Sequence, residues 1–265
     1  MQKLKRKIFL VISIILICLS AKFIAPNDPL KVDMTNMFLK SSSQFPLGTD
    51  QLGRCILSRI LYGGQTSIII ALLSLFLTVT IGSAIGILAG IFPKALDKPL
   101  MGICEITLAF PGILLAIVMV GFLGPSLINV MIAISVVSWA KYARTSRNLV
   151  LSIKESGYIK AAKVCGTSKV NIILRHIIPN IISTILTIMI TDIGSTILRL
   201  TTLSFIGLGA QHPTPEWGLM INEARSYIDY APNMIIYPIL AILITVIAFN
   251  LIGDGLRDKL DINKG

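Results

Sequence analysis

The sequence predicts an all-α polytopic membrane protein, and its composition provides the main reasons. Hydrophobic residues make up 54% of the 265 positions and charged residues only 14%, whereas a soluble domain carries about 25% charged residues. The mean hydropathy is +0.81. A soluble chain of this length still exposes about a quarter of its surface, which is too much for so apolar a composition. The net charge of +11 could suit nucleic acid, but only 7% of residues are aromatic and the uncharged runs are long, so we expect a lipid bilayer and no nucleic-acid partner.

Six apolar runs come close to the length of about 20 residues that a membrane-spanning helix needs. Basic residues before the first run resemble a signal peptide, yet no small-residue cleavage site follows, so we interpret this run as an uncleaved anchor. We divide the chain into a tail with that anchor (1–25), an extracytoplasmic segment (26–66) and a five-helix core (67–265). The expected spans are 8–25, 67–92, 100–123, 127–140, 181–198 and 234–252.

The distribution of Lys and Arg gives the expected orientation. Seventeen of the 24 basic residues lie in the N-terminal tail, the 93–99 turn, the 141–180 loop and the tail after Gly253. Cytoplasmic loops are enriched in Lys and Arg, so we expect these segments and both termini in the cytoplasm. The segments 26–66 and 205–233 then face the opposite side, and neither is long enough to be an enzyme domain.

Glycine and proline indicate how the spans pack. Gly82, Gly86 and Gly90 recur every four residues on one helix face, a pattern that lets a second helix approach closely. Pro111 should kink the third span, because proline removes a backbone hydrogen bond and clashes with the preceding turn. Such a kink could be a gate or a packing bend.

Three ionisable residues lie in or near the expected hydrocarbon region: Glu105, Asp192 and Arg199. A charge at mid-membrane costs roughly 3 kcal/mol on insertion scales, so it usually faces a bundle interior or a cavity. One interpretation makes these residues the polar lining of a translocation path. In the other, Glu105 and Arg199 reach interfacial water, or Asp192 pairs with Arg199, two helical turns away on the same face. We favour the path for Asp192 and interfacial water for Glu105 and Arg199.

The chain carries no motif for catalysis. It has no G-x-x-x-x-G-K-[ST] loop for ATP phosphates, no H-E-x-x-H motif, and only two histidines, His176 and His212. The four cysteines are scattered and form no C-x-x-C pair, so we expect neither a disulfide framework nor a zinc site. We therefore expect a non-enzymatic protein with no metal or other cofactor.

The basic loop over 141–180 is the most informative segment. Residues 157–163 predict a short helix, Gly166 a break, and Thr167 or Ser168 the N-cap of a second helix. Pro179 should end that helix or bend it into the fifth span. Two short helices around a turn suit the docking of another protein, although a loop lying on anionic lipid would carry the same charge.

Parts of this loop resemble the coupling motif in permease subunits of bacterial ABC importers, specifically the dipeptide/oligopeptide/nickel class. The matching residues are Lys160-Ala161-Ala162, Gly166 and Ile177-Ile178-Pro179, with Lys160 where the family pattern has Glu. The resemblance extends from about residue 45 to the C-terminus, and Cys55 stands where the family usually has Asp. The other similar stretches are 47–54, 109–112, 139–144, 203–209, 213–218 and 248–258.

The resemblance implies the ABC importer permease fold, with six transmembrane helices and a cytoplasmic coupling-helix loop over about 145–180. Separate ATPase subunits would dock there and supply the energy. A second homologous permease and an extracytoplasmic solute-binding protein are also implied, in a bacterial inner (cytoplasmic) membrane. The residues expected to couple the chain to the ATPases are Lys160, Ala161, Ala162, Gly166 and Pro179.

The resemblance leaves more than one substrate possible. Asp192-Ile193-Gly194 and the short chain resemble the nickel-type second permease, and a carboxylate near the path would favour a cation. Our main expectation is therefore nickel, free or chelated, with His212 as a conceivable ligand and a di- or oligopeptide as the alternative. A more distant alternative is a proton-coupled secondary transporter that uses Glu105 or Asp192. That class predicts internal repeats, and none is evident between the two halves.

Overall fold

The computed structural model describes residues 2–92 and 96–262, and over these residues the chain is all-α, with one isolated bridge between Thr49 and Cys55. Residues 1, 93–95 and 263–265 lie outside the described residues, so the predicted 93–99 turn is covered only in part. The helices are α1 Gln2–Leu19, α2 Ala21–Ile24, α3 Ile56–Ile91, α4 Asp97–Ala109, α5 Gly112–Leu123, α6 Leu127–Lys154, α7 Gly157–Val164, α8 Lys169–Ile172, α9 Ile178–Phe205, α10 Trp217–Ala224 and α11 Asn233–Ile262.

Three helical stretches of the described chain are long and apolar enough to cross a membrane: Ile56–Ile91, Val170–Phe205 and Asn233–Gly255. The pair α4 and α5 adds a fourth where its two helices are counted as one broken span. The all-α membrane fold is thereby confirmed. The count of six spans stays a prediction, since α1 and α6 combine their apolar residues with several charged ones.

The helices α3 and α6 pack against each other through the predicted glycine row. A side chain at Gly82 or Gly86 would collide with the backbone of Trp139 or Ala143 on α6, and one at Gly90 would lie 2.8 Å from the Val150 side chain. The close approach predicted from the four-residue spacing is confirmed.

Two predicted span boundaries differ from the helices. α3 begins at Ile56 rather than at residue 67, because Arg59 is paired in a buried ion network and Gly63 and Gly64 accept the Trp217 ring beside them. α6 continues to Lys154 rather than ending at residue 140, because buried small and apolar residues follow at helical spacing. Those residues are Ala140, Ala143, Ser146 and Val150.

The third predicted span is broken rather than kinked. α4 ends at Ala109, α5 begins at Gly112, and the two axes meet at 94°. Phe110 and Pro111 between them have extended backbones, with ψ of 146° and 116°, so the helical hydrogen bonds are interrupted on both sides of the proline. The break leaves a recess beside α6 and α9.

The helix before the fifth span does not end at Pro179. The chain stays helical across it, with a π-helical segment over Ile173–Ile177 immediately before. The wider π-helical turn accommodates the proline ring, and whether the helix bends there stays a prediction.

The main core runs through the helix bundle, where buried residues of α3, α6, α9, α10 and α11 interlock. Examples are Leu75, Val130, Leu200, Trp217 and Phe249. A second, smaller cluster lies under α7 and α8 and contains Val150, Ile159, Ile172, Ile177 and Ile181. The short helices of the basic loop are therefore packed onto the bundle.

Candidate functional site

A cavity of about 270 Å³ lies where the break between α4 and α5 faces α3, α6 and α9. Part of its wall is apolar and includes Leu75, Ile113, Ile134 and Val137. The polar part of the lining consists of Thr78, Thr107, Ser138, Lys141, Tyr142, Asp192, Ser195, Thr196 and Arg199.

An ion pair joins α6 to α9 in the cavity wall. Lys141 Nζ lies 2.6 Å from Oδ2 and 2.8 Å from Oδ1 of Asp192, and the Tyr142 hydroxyl donates to Oδ2 at 2.8 Å. The Asp192 side chain is 19% exposed and that of Lys141 51%. Both residues lie near the middle of 28-residue helices, each of which is about 42 Å long and so exceeds the ~30 Å hydrocarbon core. The possible Asp192–Arg199 pairing is not what the structure contains.

Sequence reasoning missed Lys141 and Tyr142, because it took the charge at 141 as the end of the fourth span. The signal that could have found them is the run of small residues that continues at helical spacing beyond Lys141. Because one face of α6 stays buried beyond Lys141, this lysine lies within the length of the helix bundle and not at its end.

Arg199 is the second cation of the cavity. Its Nη1 donates to Ser138 Oγ at 2.7 Å, and none of the described carboxylates lies within ion-pair distance of it. With Lys141 and Asp192 neutralising one another, the charged groups that line the cavity sum to +1. An unpaired arginine in an apolar span costs roughly 3 kcal/mol on insertion scales, so its contact with an open cavity is physically consistent.

Glu105, the third candidate for the path, lies apart from this group. Its side chain is exposed on α4, and it is not among the described residues that line the cavity. Over the described part of the chain, no cluster of three or more His, Cys, Asp and Glu side chains could hold a metal ion. His212 Nδ1 lies 2.9 Å from Glu223 Oε1.

The basic loop forms a helical hairpin made of α7, a turn over 165–168, and α8. Gly166 has φ +80°, the left-handed conformation that glycine adopts without strain. The Thr167 N–H donates to the Ala162 carbonyl at 3.0 Å and the Gly166 N–H to that of Lys163 at 3.1 Å, which is the hydrogen-bond pattern of a Schellman helix end. Ser168 Oγ accepts the Asn171 N–H at 3.3 Å, so the predicted break and cap are both present.

The hairpin leaves most of its predicted coupling residues on its surface. Lys160 and Ala161 are exposed and Ala162 is half-buried, while Pro179 is exposed at the start of α9. Lys160 Nζ lies 3.0 Å from Glu155 Oε2 in an exposed pair, and its hydrogen bond holds the pKa of Glu155 below the usual range. Ile159 is fully buried in the cluster below and attaches the hairpin to the bundle.

The same end of α6 is fixed to two neighbouring helices. Arg147 donates to both carboxylate oxygens of Asp97 at 2.6 Å, which ties α6 to α4. Lys154 Nζ donates to the Gly90 carbonyl at 2.9 Å at the end of α3, where a cation also suits the helix dipole. Burial lowers the pKa of Lys154, and nearby Lys163 lowers it further. The end of α6 that precedes the hairpin is therefore attached to both α3 and α4.

A buried ion network lies at the opposite end of the bundle. It joins the 26–66 segment and the start of α3 to α10, through Asp50, Arg54, Arg59 and Glu223. Arg59 Nη1 lies 2.6 Å from Asp50 and 2.9 Å from Glu223, and Arg54 Nη2 lies 2.6 Å from Glu223. All four side chains are at most 6% exposed, and their charges balance.

Glu216 forms a second buried centre next to α10. It caps that helix by accepting the Leu219 N–H at 2.8 Å, and it accepts the Ser67 hydroxyl of α3 at 2.9 Å. Burial raises the pKa of this carboxyl, although the hydrogen bonds that it accepts oppose the shift. The Trp217 indole N–H donates to the Ile60 carbonyl at 3.0 Å. These contacts tie α10 to α3.

Comparison with known proteins gives one consistent result. Residues 82–262 match the family described as binding-protein-dependent transport system inner membrane component. The chain is 44% identical over 252 residues to the glutathione transport system permease protein GsiD of Escherichia coli O6:K15:H31 (strain 536 / UPEC) and of Shigella boydii serotype 4 (strain Sb227). The Shigella dysenteriae serotype 1 (strain Sd197) protein is 43% identical over the same length. Each alignment covers 95% of this chain and 83% of the relative.

Proposed function

Since the chain belongs to the family of binding-protein-dependent transport system inner membrane components, as a permease of the ABC importer class, we propose that it carries short peptides. The observation that supports this proposal best is the polar cavity, with its net charge of +1 near the middle of α6 and α9. The family also implies separate ATPase and solute-binding-protein subunits, which favours ATP-driven import over the proton-coupled alternative. The chain itself is then a non-catalytic transport subunit.

A peptide substrate is better supported than nickel, our main expectation from the sequence. Beside the resemblance, the expectation of nickel used Asp192 as a carboxylate near the path that would favour a cation, but Lys141 neutralises that side chain. Arg199 leaves the cavity positive, so it would repel a free divalent cation. The relatives are also named for glutathione, a small peptide, rather than for a metal. Nickel in an anionic chelate remains the second candidate, because its charge would suit the cavity.

We place both termini and the α7–α8 hairpin in the cytoplasm, in accordance with the basic residues there. The ATPase subunits would dock on the exposed face of the hairpin around Lys160, Ala161, Ala162 and Gly166, with Pro179 at its edge. A second, homologous permease would close the open side of the cavity. The solute-binding protein would release its cargo at the opposite face, formed by 26–66 and 205–233.

Transport would follow from movement of the hairpin when the ATPase subunits close. Ile159 packs the hairpin against the end of α6, and Lys154 ties that end of α6 to α3, so movement of the hairpin would pass to both helices. α9 begins beside the hairpin, and it carries Asp192 near its middle and Arg199 two turns further on. Movement at the ATPase would thereby open the cavity to one side of the membrane and then to the other.

Uptake by cells tests this function. In a strain that lacks only this chain and keeps the other transporter subunits, we expect uptake of radiolabelled glutathione or trialanine to be lost and nickel accumulation to be unchanged. The wild-type chain should restore peptide uptake, and Gly166→Pro should not, because proline cannot adopt φ +80° and removes the N–H that closes α7. Loss of nickel accumulation with intact peptide uptake would instead establish the second candidate.

A further inference from the structure

The cavity contains one charged group, Arg199, for which the described residues provide no counter-ion. Arg199 bonds to the hydroxyl of Ser138, a neutral partner, although a guanidinium offers five N–H donors. The charged groups that face the cavity from the described elements are Lys141, Asp192 and Arg199, and the first two are paired with each other. Arg199 is exposed at the cavity and therefore presents free donors to it.

We propose that Arg199 binds the carboxylate of the transported peptide, so that the cavity is a binding site that selects short peptides with a free carboxylate. The inference rests on the proposed peptide transport, and it adds the residue that recognises the carboxylate of the substrate. An arginine suits this role because its planar fork can donate two parallel hydrogen bonds to one carboxylate. Ser138 holds the guanidinium at the cavity wall through Nη1 and leaves the other donors available.

The spacing of Asp192 and Arg199 along α9 suits a short peptide. Arg199 and Asp192 are seven residues apart on α9, which corresponds to about 10.5 Å along the helix. An extended dipeptide spans about 7 Å and a tripeptide about 10 Å. A peptide of two or three residues, with its carboxylate on Arg199, would therefore place its ammonium group near Asp192. That carboxylate accepts from Lys141 and Tyr142 and retains capacity for one further donor.

The rest of the cavity is compatible with varied side chains. Between its polar groups, the lining consists of aliphatic residues such as Leu75, Ile134 and Val137. Aliphatic walls provide no hydrogen-bond partner that would select one polar side chain over another. The charged ends of the peptide would then supply its polar contacts with the cavity.

Three variants in the full transporter separate this role from a structural one. Arg199→Gln removes the charge, Arg199→Lys keeps the charge but loses the paired hydrogen bonds, and Arg6→Gln is the matched control, because Arg6 is exposed in α1, away from the cavity. The measurements are made on the complete complex in proteoliposomes with one solute-binding protein. They are trialanine imported per ATP hydrolysed, and direct binding of trialanine and of its C-terminal amide to the complex without the solute-binding protein.

We expect Arg199→Gln to lower trialanine binding and import per ATP by about 10- to 100-fold, the range for a lost hydrogen-bonded charge pair. Arg199→Lys should lie between, and Arg6→Gln should match the wild type. Wild type should prefer trialanine to its amide, and Arg199→Gln should bind both equally. Unchanged import per ATP in Arg199→Gln, or an equal loss for peptide and amide, would overturn the inference. A wild-type complex that imports no peptide would instead refute the proposed function.

Discussion

Glu216 shows how a single side chain can hold several helices together. Its carboxylate caps α10, accepts the hydroxyl of Ser67 on α3, and is fully buried. A buried carboxylate without such donors would be costly, and the donors without the carboxylate would be left unsatisfied. The position therefore requires an acceptor of this size, whether or not it is charged.

We predict that Glu216→Ala lowers the free energy of unfolding by about 2–4 kcal/mol, because it leaves buried donors unpaired and a void behind. Glu216→Gln should cost less than about 1 kcal/mol, since its amide oxygen can still accept from Leu219. Thermal melting of the detergent-solubilised protein measures both. Equal losses for the two variants would contradict the capping role.

The same residue gives a pH dependence with a defined sign. Burial raises the folded-state pKa of Glu216 above its ordinary value of 4.5, so the folded state favours the protonated form. Its contribution to stability is fully present below about pH 4.5 and is lost as the pH rises through the folded-state pKa. Glu216→Gln should remove this part of the decline in melting temperature, which a pH series of the wild type and the variant would show.

At the residue scale, polar groups could be predicted from the sequence but their partners could not. Asp192 and Arg199 both line the cavity, as one of the two interpretations expected, because a charge in an apolar span has few other places to lie. The partner of Asp192 is Lys141, 51 positions away on another helix. Which two side chains meet depends on the packing of whole helices, and one sequence does not contain that information.

At the element scale, the contact between α3 and α6 depends on residues that have no side chain. Gly82, Gly86 and Gly90 bring the two backbones together, and Lys141 and Tyr142 on α6 are thereby placed beside the cavity. A helix pair held this closely by backbone contact cannot adapt easily to added volume.

We predict that Gly86→Ala destabilises the protein by about 1–3 kcal/mol, because the new methyl group would meet the Ala143 backbone, which cannot rotate away as a side chain could. Gly121→Ala on α5 is the matched control, since a methyl group there would have nothing within 4 Å. Melting temperature and yield of folded protein provide the measurement. A Gly86→Ala protein as stable as Gly121→Ala would show that the helices can separate without cost.

Helix boundaries were predictable from the sequence where a glycine turn or a side-chain cap ends the helix locally. Gly166 and Ser168 mark the turn between α7 and α8 because a left-handed glycine and a hydroxyl cap act within four residues. Boundaries set by tertiary contacts were not predictable. α6 continues past Lys141 and α3 starts at Ile56 because distant partners satisfy their charges, and hydropathy alone treats those charges as ends.

At the scale of the whole molecule, the buried ion network holds one end of the bundle together. Asp50, Arg54 and Arg59 belong to the stretch before and at the start of α3, and Glu223 belongs to α10, so the network joins parts of the chain more than 160 positions apart. Removing one member of a buried pair leaves its partner charged and unpaired in a dry environment, which costs more than the pair contributes.

We predict that Glu223→Gln lowers the free energy of unfolding by about 3–5 kcal/mol, since it leaves Arg54 and Arg59 with one carboxylate between them. The control is His212→Gln, which alters the 61%-exposed neighbour of the same carboxylate and should cost less than about 1 kcal/mol. Limited proteolysis of the 26–55 segment and thermal melting would both report the difference. Equal stability of the two variants would mean that the network contributes little.

Under the proposed movement of the hairpin, the continuous helix from Val170 to Phe205 would act as a rigid lever. Its first residues belong to the hairpin, and Asp192 lies 22 residues further on, about 33 Å away. A tilt of only about 5° about its near end moves Asp192 by roughly 3 Å, which is further than an ion pair of 2.6 Å can stretch and remain closed. If the hairpin moves as proposed, a small tilt of this helix would separate Lys141 from Asp192 and leave both charges facing the cavity.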